Sequence, residues 1–183
     1  MPDYVILTDS SADLSAEMVR EAGVTVLPLS FTIQGGTYQN TPDNREMDPA
    51  LFYDMLRAGE LATTSAVNVA AYTEAVEPLL QAGKDVLILA FSSGLSTTCN
   101  SAEVAAEELR EQYPQRKLYV VDTLCASLGQ GLLVWLAARE QKKGRSIEEV
   151  RDWAEAHKQA VCHQFTVQDL KFLKRGGRIT ATT

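Results

Sequence analysis

The residues best suited to chemistry stand in a short uncharged stretch at residues 92–98, SSGLSTT. It follows an apolar run at residues 86–91, and hydroxyl groups supply all of its polar side chains. Hydroxyls donate hydrogen bonds without adding charge, which suits a ligand group that is itself negatively charged. The stretch therefore predicts a cradle for an anionic head group.

Two other segments repeat this design, "VILTDSSADLS" at residues 5–15 and "LYVVDTLCASLGQG" at residues 118–131. In each, a buried strand leads through a small hydroxyl-rich loop into a helix. In an open parallel sheet such loops meet at one edge, where ligands bind. Helix N-termini at that edge offer free N–H groups and partial positive charge to an anion.

A further hydroxyl-rich segment, "TTSAVN" at residues 63–68, precedes a helix that we expect to begin near Val69. Asn68 or Ser65 could simply cap this helix, and Ser96 could likewise cap the helix that follows residues 92–98. A capping hydroxyl can still face a ligand. Both roles therefore stay open for each of these residues.

Nucleotide chemistry is poorly supported by the motifs. The loop after Phe91 offers only Gly94 where a dinucleotide site needs G-x-G-x-x-G, although Asp122 ends the next strand where a ribose partner could sit. A polar strand end explains Asp122 equally well. No lysine follows a glycine-rich loop in P-loop register. An enzyme that binds a nucleotide or a phosphorylated ligand at this edge remains the alternative interpretation.

Hydrolase and metal chemistry are also poorly supported. The G-x-S-x-G motif is absent, and only His157 and His163 could act as a base. We expect His157 on the surface and His163 in the core, because its segment is apolar. Without a second Cys/His pair we expect no zinc site or other metal site, and no cofactor.

Composition and charge narrow the partners and the cellular location that we expect for the protein. The chain has 183 residues, of which 45% are hydrophobic, and a net charge of −7, which argues against nucleic acid and anionic membranes as partners. The apolar run at residues 132–138 is far too short for a membrane span, and the N-terminus does not resemble a signal peptide. Three cysteines without CxxC spacing fit reduced thiols, so we expect a cytoplasmic protein.

Strands and helices alternate regularly, which predicts a three-layer α/β/α sandwich with a mainly parallel sheet. We expect strands at residues 4–7, 24–33, 85–91 and 118–121, with a hairpin at Gly35–Gly36. Helices are predicted after Ser15, Asp48 and residue 68, over residues 102–113 and 126–142, and from a Ser146/Glu149 capping box to about residue 160.

Five segments occur here in the order typical of the DegV family, and the chain resembles that family over nearly its whole length. They are residues 5–15, 63–68 (at a T-S-Q-P motif), 92–102 (at an S-S-x-L-S-G-T motif), 120–131 and 169–179. The family comprises fatty-acid-binding proteins, among them the binding subunits of bacterial fatty acid kinases.

The resemblance implies a carrier rather than an enzyme. It implies that a long-chain fatty acid such as palmitate or oleate is held by its carboxylate and presented to a separate ATP-dependent kinase. By motif position, Thr64 and Ser96 would contact the carboxylate, with Ser93 and Ser65 beside them. The sequence departs from the motifs where it has Ala66, Val67 and Thr97.

The C-terminus predicts the start of a second domain. We place one domain at residues 1–160 and read residues 161–183 as a strand, "VCHQFTV", followed by a short helix, "QDLKFLKRGG". Because a lone strand is not stable, we expect a truncated second domain, or self-association of the chain. Arg175 and Arg178 are expected near the site, where they would meet the kinase or the acyl phosphate, unless they are only a solvated helix end. A regulatory module with an empty cradle is a third interpretation.

Overall fold

The computed structural model describes residues 4–167 and 169–179. These residues contain seven strands: β1 (Tyr4–Asp9), β2 (Thr25–Leu27), β3 (Ser30–Ile33), β4 (Gly36–Gln39), β5 (Ala62–Ser65), β6 (Asp85–Ala90) and β7 (Leu118–Asp122). The helices are α1 (Ala16–Ala22), α2 (Pro49–Arg57), α3 (Val69–Gln81), α4 (Thr98–Gln112), α5 (Ser127–Lys142), α6 (Ile147–His157) and α7 (Lys171–Arg175). Short 3-10 turns follow β1 at Ser10–Ala12 and α6 at Lys158–Ala160.

Four parallel strands form the central sheet in the order β2-β1-β6-β7. Side chains alternate between its two faces. Leu87 and Leu89 of β6 pack with residues of α5 and α6, whereas Val86 and Ile88 pack with α3 and α4. The sheet thus lies between two helical layers, which confirms the predicted three-layer α/β architecture.

Helix ends follow their sequence signals. The Ser15 side chain accepts a hydrogen bond from the Met18 N–H at the start of α1, and Ser146 and Glu149 form the predicted capping box of α6. The Asn68 side chain caps α3 by accepting a hydrogen bond from the Ala71 N–H at 2.9 Å. Of the two capping candidates for α3, Asn68 therefore takes this role.

A second, antiparallel sheet has the order β4-β3-β5. The predicted hairpin between β3 and β4 is present, but its turn lies at Gln34–Gly35, one residue before the predicted Gly35–Gly36, because Gly36 already pairs with Ile33. Gln34 and Gly35 both have positive φ, as a type I′ turn requires. Residues 24–33 are not one strand but two, because β2 joins the parallel sheet and β3 the antiparallel one. Pro28, which has no N–H to donate, lies between them.

Residues 161–167 form no strand, so this part of the prediction is wrong for the described chain. No described strand lies alongside them, and an unpaired segment cannot complete its backbone hydrogen bonds within a sheet. The short helix predicted after them is present as α7. The domain boundary near residue 160 stays a prediction.

Within the part of the chain that the structure describes, no helix combines the length and the apolar character that a transmembrane segment needs.

Candidate functional site

The carboxyl ends of β1, β6 and β7 meet at one edge of the parallel sheet, as the repeated strand–loop–helix pattern predicts. A groove of about 1270 Å³ lies there. Its walls come from the loops that follow these strands, from the end of β5, from α5 and from the C-terminal segment. Its lining includes Ser11, Thr64, Ala66, Phe91, Leu95, Ser96, Thr97, Leu124, Leu128, Leu132, His163, Phe165 and Arg178.

Much of this lining is apolar and partly exposed. Leu95, Leu124, Leu128 and Leu132 all keep a large part of their side chains accessible, and Phe165 is 82% exposed. The volume exceeds the roughly 300–1,000 Å³ of typical small-molecule sites. The groove therefore has room and apolar surface for a ligand with a long hydrocarbon part.

Thr64 and Ser96 both line the groove, although Thr64 belongs to β5 of the antiparallel sheet and Ser96 to the loop after β6, 32 positions further along the sequence. Thr64 is exposed on β5, in register with Phe31 of β3. The Ser96 Oγ accepts a hydrogen bond from the Thr98 N–H at 3.2 Å and lies 2.9 Å from the Thr98 Oγ1. Ser96 thus accepts from the first N–H of α4, although Thr97 holds the N-cap position, and it lines the groove as well; its contact with a ligand stays a prediction.

Ser93 and Ser65 are placed differently. Both are exposed and neither is among the residues that line the groove. The Ser93 N–H donates to the Asp122 Oδ1 at 3.2 Å, and Ser65 pairs with Ser30 at the end of β5. The structure thus brings Thr64 and Ser96 to one groove without these two, whose ligand contacts remain predictions.

The three residues that depart from the family motifs differ in whether they line the groove. Ala66 and Thr97 line the groove, whereas Val67 is buried in the core beside α3. Thr97 adds a hydroxyl at the groove where the family motif has glycine. Val67 packs in the core and does not line the groove.

Asp9 is a buried residue of this edge that the sequence analysis did not single out. Its Oδ1 accepts a hydrogen bond from the Ser11 N–H at 3.0 Å, and its Oδ2 accepts from the Phe91 N–H at 2.9 Å and the Gln130 side-chain amide at 3.2 Å. Burial raises the pKa of Asp9 above its ordinary value, and these donors oppose the rise. The carboxyl group ties together the three segments that carry Ser11, Phe91 and Gln130.

Asp122 has a comparable role at the end of β7. Its Oδ1 accepts hydrogen bonds from the N–H groups of Ser93 and Leu124, at 3.2 and 3.0 Å. Here Asp122 caps loops, which agrees with the polar strand end weighed against a ribose partner.

The prediction that His163 is a core histidine is wrong. Since residues 161–167 are not paired in a sheet, His163 is exposed and lines the groove, with its Nε2 3.4 Å from the Ala126 N–H. It lies so close to Gly129 that a Cβ there would overlap the imidazole ring. His157 is exposed as predicted and stacks on Trp153.

The two candidate arginines differ in whether they line the groove. Arg178 lines the groove, and its guanidinium donates to the Gly176 carbonyl. Arg175 is not among the lining residues, and its guanidinium lies 6.0 Å from the centre of the Phe172 ring. Only Arg178 is placed to approach a bound ligand directly.

In residues 4–167 and 169–179, no three acidic, histidine or cysteine side chains converge as a metal site would need. All three cysteines are free, and burial raises the pKa of Cys99 to about 12 and that of Cys125 above its ordinary value. Cys162 is exposed.

Comparisons with known proteins agree with this architecture. A family model described as "Uncharacterised protein, DegV family" matches residues 3–183. A DegV domain-containing protein of Clostridium perfringens is 46% identical over 182 residues, which cover 100% of this chain and 62% of that protein.

Two solved structures are similar over 98% of this chain, each with a TM-score of 0.82. One is a DegV family protein of Thermus thermophilus, described for its fatty acid binding, which is 34% identical and 61% covered. The other is a stearic-acid-binding protein of Eubacterium ventriosum, which is 28% identical and 63% covered. The chain thus spans between 61% and 63% of the length of these relatives.

Proposed function

Because the chain belongs to the DegV family, we propose that it binds a long-chain fatty acid, such as palmitate or oleate, by its carboxylate in the groove that Thr64 and Ser96 line. The observation that carries the proposal is the composition of this groove, in which hydroxyls from a strand of the antiparallel sheet and from the loop after β6 share one lining with leucines. The descriptions of the Thermus and Eubacterium relatives as fatty-acid-binding support the same ligand class.

The hydroxyl groups of the groove provide hydrogen-bond donors for the carboxylate head group of the fatty acid. A buried carboxylate without hydrogen-bond donors is strongly disfavoured, and neutral hydroxyl donors satisfy it without a charged partner. Thr64, Ser96 and Thr97 supply such donors from the groove wall. Arg178, on the same lining, adds a positive charge that favours an anion over a neutral lipid.

The apolar wall accounts for the acyl chain. Each buried methylene contributes roughly 0.8 kcal/mol, so a chain of palmitate length gains far more from the groove than a short acid does. Exposed leucines along the groove are unfavourable in water, and a bound acyl chain would cover them. This favours a long-chain acid over a small carboxylate metabolite.

We further propose that the chain is a carrier subunit, and that a separate ATP-dependent kinase phosphorylates the bound carboxylate. The support is the resemblance of the five motif segments to the binding subunits of fatty acid kinases. In this proposal Arg178 lies beside the reacting carboxylate, and Arg175, which does not line the groove, meets the kinase.

Mass spectrometry of the small molecules that co-purify with the protein tests the ligand class. We expect a C16 or C18 fatty acid at close to one molecule per chain. A nucleotide or a phosphorylated metabolite instead would favour the enzyme interpretation, and protein that neither retains nor takes up any fatty acid would favour the regulatory module. Denatured protein extracted in parallel controls for lipid that adheres nonspecifically.

A further inference from the structure

Leu124 has an unusual backbone conformation for a leucine. Its φ of +53° lies in the left-handed region, where a Cβ crowds the backbone and where glycine or asparagine is normally found. Bulky residues persist in this region only where the surrounding structure fixes them, and such strain concentrates at functional sites. The question is therefore why a leucine, rather than glycine or asparagine, occupies this position.

The loop around Leu124 is fixed on both sides by hydrogen bonds. The Asp122 carboxylate accepts from the Leu124 N–H at 3.0 Å. The Thr123 hydroxyl donates to the Ala90 carbonyl at 2.7 Å and accepts from the Cys125 N–H at 3.3 Å, and the Cys125 carbonyl accepts from the Ser92 N–H at 3.2 Å. These contacts hold the backbone in place without using the Leu124 side chain.

The side chain of Leu124 contributes little to the packing of the fold. It is 44% exposed and lines the groove, in company with Leu128 and Leu132 of α5, which are also exposed. A leucine in this position carries both an unfavourable backbone conformation and an apolar side chain left partly in water. Asparagine would remove both disadvantages.

We propose that Leu124 is a ligand-contact residue that the protein keeps at a loss of its own stability, and that its side chain packs against the acyl chain of the bound fatty acid. This inference rests on the proposed function. The strained backbone aims the side chain from the end of β7 into the groove, so the contact is preformed before the ligand arrives. Leu124 thereby helps to determine which acyl chains the groove accepts.

Leu124→Asn tests the inference, because asparagine tolerates the left-handed conformation and removes the apolar contact. We expect palmitate to bind about tenfold more weakly, as loss of a well-buried leucine contact implies. We also expect a thermal unfolding midpoint that is unchanged or higher in the ligand-free protein. Leu61→Asn is the matched control, since Leu61 is 65% exposed and does not line the groove; it should leave the affinity unchanged.

Two results would overturn the inference while leaving the proposed function intact. One is equal palmitate affinity for the wild type and Leu124→Asn. The other is a loss of affinity accompanied by a lower unfolding midpoint, which would make Leu124 a structural residue. Failure of the wild-type protein to bind palmitate would instead overturn the proposed function, and the inference with it.

Discussion

Asp9 lies beneath the groove and does not line it, yet its carboxyl oxygens accept three hydrogen bonds from segments that build the groove. Two of the donors are the backbone N–H groups of Ser11 and Phe91, whose residues are part of the lining. A single buried side chain therefore fixes the relative positions of the loops after β1 and β6. Its identity is visible in the sequence as a polar strand end, but its partners are up to 121 positions away.

Asp9→Asn should destabilise the protein. In either orientation the asparagine amide would set its NH2 group against at least one of the N–H donors of Ser11, Phe91 and Gln130, and a buried donor left without an acceptor costs about 1–3 kcal/mol. We expect the free energy of unfolding in urea to fall by at least this amount. Asp13→Asn is the control, because Asp13 is exposed, has a positive φ that asparagine tolerates, and accepts a hydrogen bond from the Ser127 hydroxyl at 2.6 Å that an asparagine oxygen can still accept. It should change the free energy of unfolding by less than about 0.5 kcal/mol. Equal effects of the two substitutions would contradict the role given to Asp9.

At the scale of helices and strands, short-range sequence signals correctly predicted the elements that depend on short-range interactions. Capping side chains, glycines after helices and the 3.6-residue apolar period depend on neighbours within a few residues, and the helices and the β3–β4 hairpin follow them. Strand β5 has no such signal, because ATTS shows no apolar alternation and is a strand only through its pairing with β3. Residues 161–167 show the opposite case, an apolar segment that forms no strand because no described strand pairs with it.

Arg175 at the end of α7 and Arg178 three residues beyond it give a prediction at this scale. Arg178→Glu should weaken both palmitate binding and kinase-dependent phosphorylation, because it sets a negative charge on the groove lining beside the carboxylate. Arg175→Glu should weaken phosphorylation alone, since Arg175 lies off the lining. Phosphorylation assays with the partner kinase and palmitate titrations measure the two effects separately.

Arg57→Glu on α2 serves as the control for added negative charge, because Arg57 is exposed and does not line the groove. It should leave both binding and phosphorylation unchanged. If both α7 variants behave like Arg57→Glu, then this end of α7 is only a solvated surface.

At the scale of the whole molecule, the sequence predicted the layered sheet and the edge at which its hydroxyl-rich loops meet. It predicted a head-group cradle at that edge but not which segments form the walls of the groove, because these walls depend on contacts between distant segments. Thr64 reaches the groove from the antiparallel sheet rather than from a loop of the parallel one, and His163 reaches it from the C-terminal segment. Such placements depend on tertiary packing, which no local pattern in these segments encodes.

Titration of palmitate against the wild type, Thr64→Val and Ser96→Ala tests the central claim most directly, namely that these two hydroxyls hold a fatty acid carboxylate. A hydrogen bond to a charged group contributes roughly 1.5–3 kcal/mol, so each variant should bind about ten- to a hundredfold more weakly. Thr63→Val is the matched control, since Thr63 is an exposed neighbour on β5 that does not line the groove, and it should bind like the wild type. Equal affinity in all four proteins would contradict the account.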